Sequence, residues 1–385
     1  MRILAVGGGS GGHVTPVIAV LKEIKYLKPE TEIRFWCDLG FVNRARQLMS
    51  RLGEDIKVQA IFAGKFRRYN HILFWRQLLM PSVVLPNIID LVLIILGFIQ
   101  SCNKLVIWRP DVIFTKGGFV CLPVGLAAFL LKIPLVTHDS DAHPGLTNRV
   151  LGRWARAIAT GAPLEYYNYP KDKTKYIGVP ISPDFHIFSK EEKRLARKEW
   201  GIDQTKPLVV ITGGGLGAKR LNDTVNLIAK DLLKSASVAL ISGEDQYKEL
   251  SQTKLGRLKG FHLLAFVSKD IAKLLGAADV VVARAGATTI LELAALAKPT
   301  ILVPNAKLTG GHQLKNAEVY ADKGAVVILD EDIMVNHPNL LSLEINSLLS
   351  KPSLCQKMSE ALSSFAKPQA ALEMARIIIK NAKKN

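Results

Sequence analysis

Two stretches of this chain open in the same way. Ile3 to Gly9 (ILAVGGG) and Leu208 to Gly215 (LVVITGGG) are each a short apolar strand running into three glycines, and a helical pattern follows both. Such a beginning marks a βα unit, because residues without a Cβ let the backbone turn tightly and leave helix N–H groups open to a ligand. Two of them, about half of the 385 residues apart, predict an α/β chain with two Rossmann-like, doubly wound parallel-sheet domains. The boundary is expected at Gly178 to Pro183 (GVPISP), where glycine and two prolines break the pattern. Further strands are expected at Val238 to Ile241, Val280 to Ala283 and Thr300 to Val303. A last helix is expected from Pro368 to Lys384, with proline in its first turn and lysines at its end. An apolar content of 49% supplies two cores of ordinary size, so disorder is excluded.

The net charge of +18 favours anionic partners: nucleic acid, anionic lipid headgroups or phosphorylated substrates. The basic residues are spread along the chain, with no zinc finger, RRM signature or arginine-rich arm, so nucleic acid is not an expected partner. Cys37, Cys102, Cys121 and Cys355 stand singly, with no CxxC pair or zinc spacing, which fits a reducing cytoplasm and no metal site. The apolar start MRILAVGGG is only a strand long and is not read as a secretory signal.

The region Lys65 to Leu105 differs from the rest. A basic, aromatic lead-in (Lys65, Phe66, Arg67, Arg68, Tyr69) precedes the apolar stretch Ile72 to Met80, and a second apolar run, Ile88 to Ile99, follows Pro81 and Pro86. A bilayer-spanning helix needs about 20 uninterrupted apolar residues. Arg76, Asp90 and the two prolines are expected to break this region into shorter pieces that lie on an anionic membrane surface, where each Lys or Arg contributes about 1 kcal/mol. A buried helix pair is the alternative.

Gly7, Gly9 and Gly12 match GxGxxG, and Asp38 follows the second predicted strand, a pattern also found in dinucleotide-dependent dehydrogenases. Further turns at Gly213 to Gly217 and Lys116 to Phe119 (KGGF) offer the same close backbone approach, and together they suit a ligand bearing phosphates and sugars; each could instead be tight strand-to-helix packing. His13, just after Gly12, is a candidate general base, since neutral imidazole accepts a proton near pH 7; a backbone-bound helix-end histidine is the alternative. In Arg284 to Glu292 (RAGATTILE), Thr289 and Glu292 stand three apart. That spacing fits a capping box, or else leaves Glu292 to accept hydrogen bonds from a ribose diol. Gly310, Gly311, His312, Gln313 and Asn316 open another helix on the same sheet edge.

Taken in order, GGGSGGHVTP (7 to 16), KGGFVCLP (116 to 123), HDSDAHPGLTNR (138 to 149), GGGLGAKRLN (213 to 222), Phe266 with Val267, RAGATTILELAALAKP (284 to 299) and HQLKNA (312 to 317) resemble the MurG family of peptidoglycan glycosyltransferases, in family 28. The resemblance covers nearly the whole chain and implies a GT-B fold, two Rossmann-like domains facing a cleft. It implies an acceptor- and membrane-binding domain at 1–180 with the helix 366–385, and a UDP-sugar domain at 181–365. The implied reaction is inverting transfer of N-acetylglucosamine from UDP-N-acetylglucosamine to lipid I, undecaprenyl-diphospho-N-acetylmuramoyl-pentapeptide, at the cytoplasmic face of the membrane, with no cofactor. By resemblance, Ser10, Gly11 and Gly12 lie near the donor phosphate and sugar and His13 is the base. Val267 contacts uracil, Ala287, Thr288 and Thr289 hold the diphosphate and ribose, Glu292 takes the ribose hydroxyls and Gln313 the sugar. Gly117, Gly118, His138, Asp139 and Asn148 belong to the acceptor side or cleft. Three donor-side positions depart from the family: Asp141, in a run His138, Asp139, Ser140, Asp141 replacing HEQN; Ser182, where some members have arginine; and Gly215, which replaces a serine. Rival readings are a related transferase with another lipid acceptor such as diacylglycerol, an NAD-dependent oxidoreductase, and a non-catalytic sugar-nucleotide binder.

Overall fold

The computed structural model describes residues 1–8, 11–53, 56–67, 74–215, 217–267, 270–305 and 311–383. The chain divides into two compact units, one comprising residues 1–182 and 367–385 and the other 183–366. The first holds a seven-stranded sheet: β1 (Arg2–Val6), β2 (Glu32–Asp38), β3 (Lys57–Ile61), β4 (Val112–Thr115), β5 (Leu135–Asp139), β6 (Ala157–Thr160) and β7 (Thr174–Tyr176), in the order β3-β2-β1-β4-β5-β6-β7. The second holds β8 (Leu208–Thr212), β9 (Ser237–Ile241), β10 (Phe261–Leu264), β11 (Val280–Ala283), β12 (Thr300–Leu302) and β13 (Val327–Ile328), in the order β10-β9-β8-β11-β12-β13. Every pairing is parallel. Both orders are those of the dinucleotide-binding fold, in which the strand order reverses beside the first strand of the sheet.

Parallel sheets are covered by helices on both faces, so their strands read as continuous apolar runs. β4 (VIFT) and β8 (LVVIT) are buried at every position. Side chains alternate across the first sheet. Ile3 and Ala5 of β1 join Val14, Val17 and Leu21 of the helix Gly11–Leu27 on one face, while Leu4 and Val6 join Trp36, Leu105 and Val124 on the other. The last helix, Ala370–Asn381, closes the first of these cores with Met374, Ala375 and Ile378, and Lys175 pairs with its Glu373 at 2.7 Å. Pro368 precedes this helix by two residues and does not sit in its first turn.

The expectation of broken pieces after Lys65 is overturned between residues 81 and 108. Pro81–Trp108 is one continuous helix of 28 residues, long and apolar enough to cross a membrane by length and composition. Pro81 occupies the helix start, where its missing N–H needs no partner, and Pro86 forfeits only one backbone bond near that end. Asp90 is accommodated because it is bonded: its Oδ1 accepts the Lys65 N–H at 3.0 Å. Asn87 accepts from the Arg67 N–H at 2.8 Å and donates to the Arg67 carbonyl, and Gln100 accepts from the Phe62 N–H. Gly97 lets the helix touch the Phe62 carbonyl, which a Cβ would strike. The polar row therefore faces inward, onto the chain that follows β3. Leu85, Ile88, Ile89, Leu91, Val92, Ile95, Leu96 and Ile99 face outward, each 46–62% exposed. Arg68, Tyr69, Ile72 and Leu73 lie outside the described residues.

Candidate active site

In a doubly wound sheet, ligands bind beyond the carboxyl ends of the strands, where the order reverses. In the first unit that edge is formed by β1, β4 and β5. Gly11, Gly12 and His13 open the helix after β1; Ser10 and the His13 side chain lie outside the described residues. β4 ends in Lys116, Gly117 and Gly118, and both glycines adopt φ +87°, which side chains disfavour. A Cβ on Gly117 would press on the Asn148 amide at 2.7 Å. Asn148, in the helix Leu146–Leu151, is buried and donates to the His138 carbonyl at 3.3 Å. The structure thus gathers Gly117, Gly118, His138, Asp139 and Asn148 at one edge.

Around them lies a buried polar cluster that also takes in Lys116, Ser140 and Tyr169. Lys116, 2% exposed, donates its Nζ to Ser140 Oγ. Ser140 Oγ lies 3.4 Å from His138 Nδ1, and His138 Nε2 donates to the Gly178 carbonyl at 2.8 Å. Burial, with the Lys116 charge beside it, holds His138 well below the usual histidine range, so the ring is neutral. Burial pushes Lys116 down to about 8, opposed by Asp141 and Asp139, and pushes Asp139 up to about 7, assisted by Asp141. Tyr169 donates to Asp139 Oδ2 at 2.9 Å. Asp141 accepts the Tyr167 hydroxyl on its carbonyl at 2.7 Å, and Ser182 is the last residue of this unit before residue 183. Lys116 stands inside the KGGF motif, but its partner Ser140 and the neighbouring charges of Asp139 and Asp141 come from the end of β5 and the residues after it, which spacing does not reveal.

The second unit repeats the arrangement. After β8, Gly213 to Gly215 lead toward the helix Lys219–Ser235, and Gly215 borders open space. After β11, Gly286 takes the N-cap position of the helix Ala287–Ala295 without a side-chain cap. Thr289 and Glu292 therefore both lie inside this helix and form no capping box. Ala287 is buried, Thr288 and Thr289 are partly buried, and the Glu292 carboxylate makes no hydrogen bond or ion pair among the described residues. Burial pushes that carboxyl up to about 8. Val267 follows β10 by three residues. Gln313, in the helix His312–Ala321, accepts the Asn305 N–H on its Oε1 at 2.8 Å. From the same helix, Asn316 donates to the Ala285 carbonyl at 3.2 Å; from the helix Lys219–Ser235, Asn222 donates to the Ser242 carbonyl at 2.9 Å. Asn148, Asn222 and Asn316 thus share one task, each tying a helix to the carboxyl end of a strand, at His138 in β5, Ser242 after β9 and Ala285 after β11.

Residues 3–160 match the N-terminal domain of glycosyltransferase family 28, and residues 208–374 match its C-terminal domain. The chain is 33% identical to the UDP-N-acetylglucosamine--N-acetylmuramyl-(pentapeptide) pyrophosphoryl-undecaprenol N-acetylglucosamine transferase of Acetivibrio thermocellus, over 100% of this chain and 99% of that protein. The chain belongs to glycosyltransferase family 28. A transferase of the same name from Clostridium perfringens is 34% identical over 86% of each chain. Among solved structures, Acinetobacter baumannii MurG shares the fold with a TM-score of 0.72, at 24% identity, over 98% of this chain and 99% of that one. The UDP-GlcNAc 2-epimerase of Neisseria meningitidis, bound to UDP-GlcNAc, shares it with a TM-score of 0.66, at 15% identity, over 99% of this chain and 100% of that one. The family 28 chain is a glycosyltransferase of GT-B fold, with two parallel-sheet α/β domains.

Proposed function

We propose that this chain transfers N-acetylglucosamine from UDP-N-acetylglucosamine to the muramoyl-pentapeptide carried on undecaprenyl diphosphate, with inversion at the anomeric carbon. One observation carries the donor half: at a sheet edge built for nucleotides, Glu292 keeps a partly buried carboxylate without a protein partner among the described residues. Such a group suits two ribose hydroxyls, which supply the hydrogen bonds that burial denies it. The acceptor half rests on the full-length likeness to transferases of that name.

In this reading the second unit binds the donor. The start of the helix at Ala287, with Thr288 and Thr289, offers N–H groups and a positive helix end to the diphosphate. Val267, Gly215 and Gln313 are assigned to the uracil and sugar, and Ser10, Gly11 and Gly12 to the donor phosphate and sugar. His13 takes the proton from the acceptor hydroxyl as that oxygen bonds to the anomeric carbon; the bond from that carbon to the diphosphate breaks, and UDP leaves with the electron pair.

The first unit binds the acceptor at the membrane. The helix Pro81–Trp108 lies in the plane of the surface, because its polar row is occupied with the chain after β3 while its apolar row faces out. Lys65 and Arg67 stand beside it, exposed, for anionic headgroups. In this reading the enzyme is a peripheral protein of the cytoplasmic face. The test is product analysis with UDP-N-acetylglucosamine and either lipid I or diacylglycerol. Glycosylated lipid I is expected, and transfer to diacylglycerol alone would replace this reading.

A further inference from the structure

Glu331, the first residue of the helix Glu331–Asn336, lies outside every motif described above. It is 5% exposed, and each of its carboxylate oxygens is taken by a different arginine. Oε1 receives Arg284 Nη2, and Oε2 receives Arg220 Nη1 at 3.0 Å. Arg284 is the first residue beyond β11 and begins the turn that leads to Ala287 and Glu292. Its other terminal nitrogen, Nη1, donates to the Val303 carbonyl, just beyond β12, at 2.9 Å. Arg220 is the second residue of the helix that follows the glycine turn after β8. Its Nη2 also pairs with Asp332 at 2.6 Å. Asp330 fixes the acidic pair from below by capping their helix, accepting the Asp332 and Ile333 N–H groups at 2.8 and 2.9 Å.

We propose that Glu331 is a positioning residue for the donor site, a single carboxylate that ties the turn after β8 to the turn after β11 and sets their spacing. This rests on the reading that the second unit binds the UDP-sugar. The two turns belong to adjacent strands at the point where the sheet order reverses, so their spacing fixes where a nucleotide can sit between the helix starts. The bridge suits that purpose for a physical reason. Arginine presents a planar fork that a carboxylate meets in a fixed geometry, and a buried carboxylate between two guanidiniums resists displacement in a way that a surface pair does not. Removing it leaves Arg284 buried without its counter-charge, so the guanidinium must move, and the turn it begins moves with it.

The test compares the wild-type protein with Glu331→Gln and Arg220→Gln by titration with UDP and by steady-state kinetics in which donor and acceptor are varied separately. Thermal melting selects the conditions under which each variant is folded. Glu331→Gln is expected to weaken UDP binding and raise the donor KM about ten-fold or more, with the acceptor KM unchanged, because small displacements of positioning groups have large effects. Arg220→Gln keeps the buried Arg284 pair and is expected to fold and to show the same split in weaker form, so it carries the test if Glu331→Gln does not fold. Folded variants with wild-type UDP affinity and donor KM would overturn the proposal, even if they melt early, since they would show a stabilising role alone. A wild-type protein that does not bind UDP would overturn the donor reading and this inference with it, and is seen in the first titration before any variant is made.

Discussion

Replacing Glu292 with glutamine separates stability from activity. Burial moves this carboxyl from the ordinary 4.5 up to about 8, so between those values the folded protein holds a proton that the unfolded chain releases. Stability falls as the pH rises through this window; the penalty is absent below about 4.5 and complete above about 8. At about 1.4 kcal/mol per factor of ten, the whole shift corresponds to about 5 kcal/mol, an upper bound that the solvent still reaching the side chain reduces to about 1–3 kcal/mol. Glutamine has the same shape and no charge to desolvate. The unliganded Glu292→Gln variant is therefore expected to melt above wild type at pH 9, by about 2–4 °C per kcal/mol, and level with it near pH 5. At pH 9, where the carboxyl is ionised, the same change removes a charged acceptor of the ribose hydroxyls and lowers UDP affinity by about ten-fold or more. Thermal melts at the two pH values, followed by a UDP titration, read both effects. A melting difference that is the same at both pH values would refute the electrostatic account, and unchanged UDP affinity would refute the ribose contact.

His13→Ala is expected to lower kcat by about 10²–10⁴-fold with the donor KM little changed, measured with saturating donor and lipid acceptor; full turnover would remove His13 from the role of base. Lys116→Met should destabilise the protein by about 1–3 kcal/mol at pH 7 in urea unfolding, because Asp139 loses a neighbouring cation; an unshifted midpoint would show that this charge supports nothing. Ile88→Ser combined with Ile95→Ser is expected to reduce flotation with vesicles containing anionic lipid while leaving the fold intact, since both side chains are half exposed. Undiminished flotation would move the docking surface elsewhere.

The architecture was legible because strand and helix obey different periods and because glycine turns mark strand ends. Val280 to Ala283 is the strand expected there, and the motif residues of each unit fall at the carboxyl edge of its sheet. Proline and aspartate count as breakers in any local reading, yet Pro81–Trp108 is one helix. Asp90 is tolerated through a bond to Lys65, twenty-five residues earlier, which no local pattern contains. The roles of Lys116 and Glu331 are hidden in the sequence for a related reason. On paper each is an ordinary charged residue, and only tertiary packing takes it out of water and gives it partners from distant segments. Thr289 and Glu292 show the converse, since their spacing allowed a cap that the helix, starting two residues before Thr289, does not use.

The final helix has a consequence for biosynthesis. Met374, Ala375 and Ile378 fill a core that they share with the first helix of the chain and with β4, β5 and β6. A ribosome has therefore delivered the entire second unit before the first can be sealed, and until then an oily seam stays open on the nascent polypeptide. Premature termination near residue 366 would leave the later-made unit whole and the earlier-made one unfinished, the reverse of what truncation does to domains strung end to end.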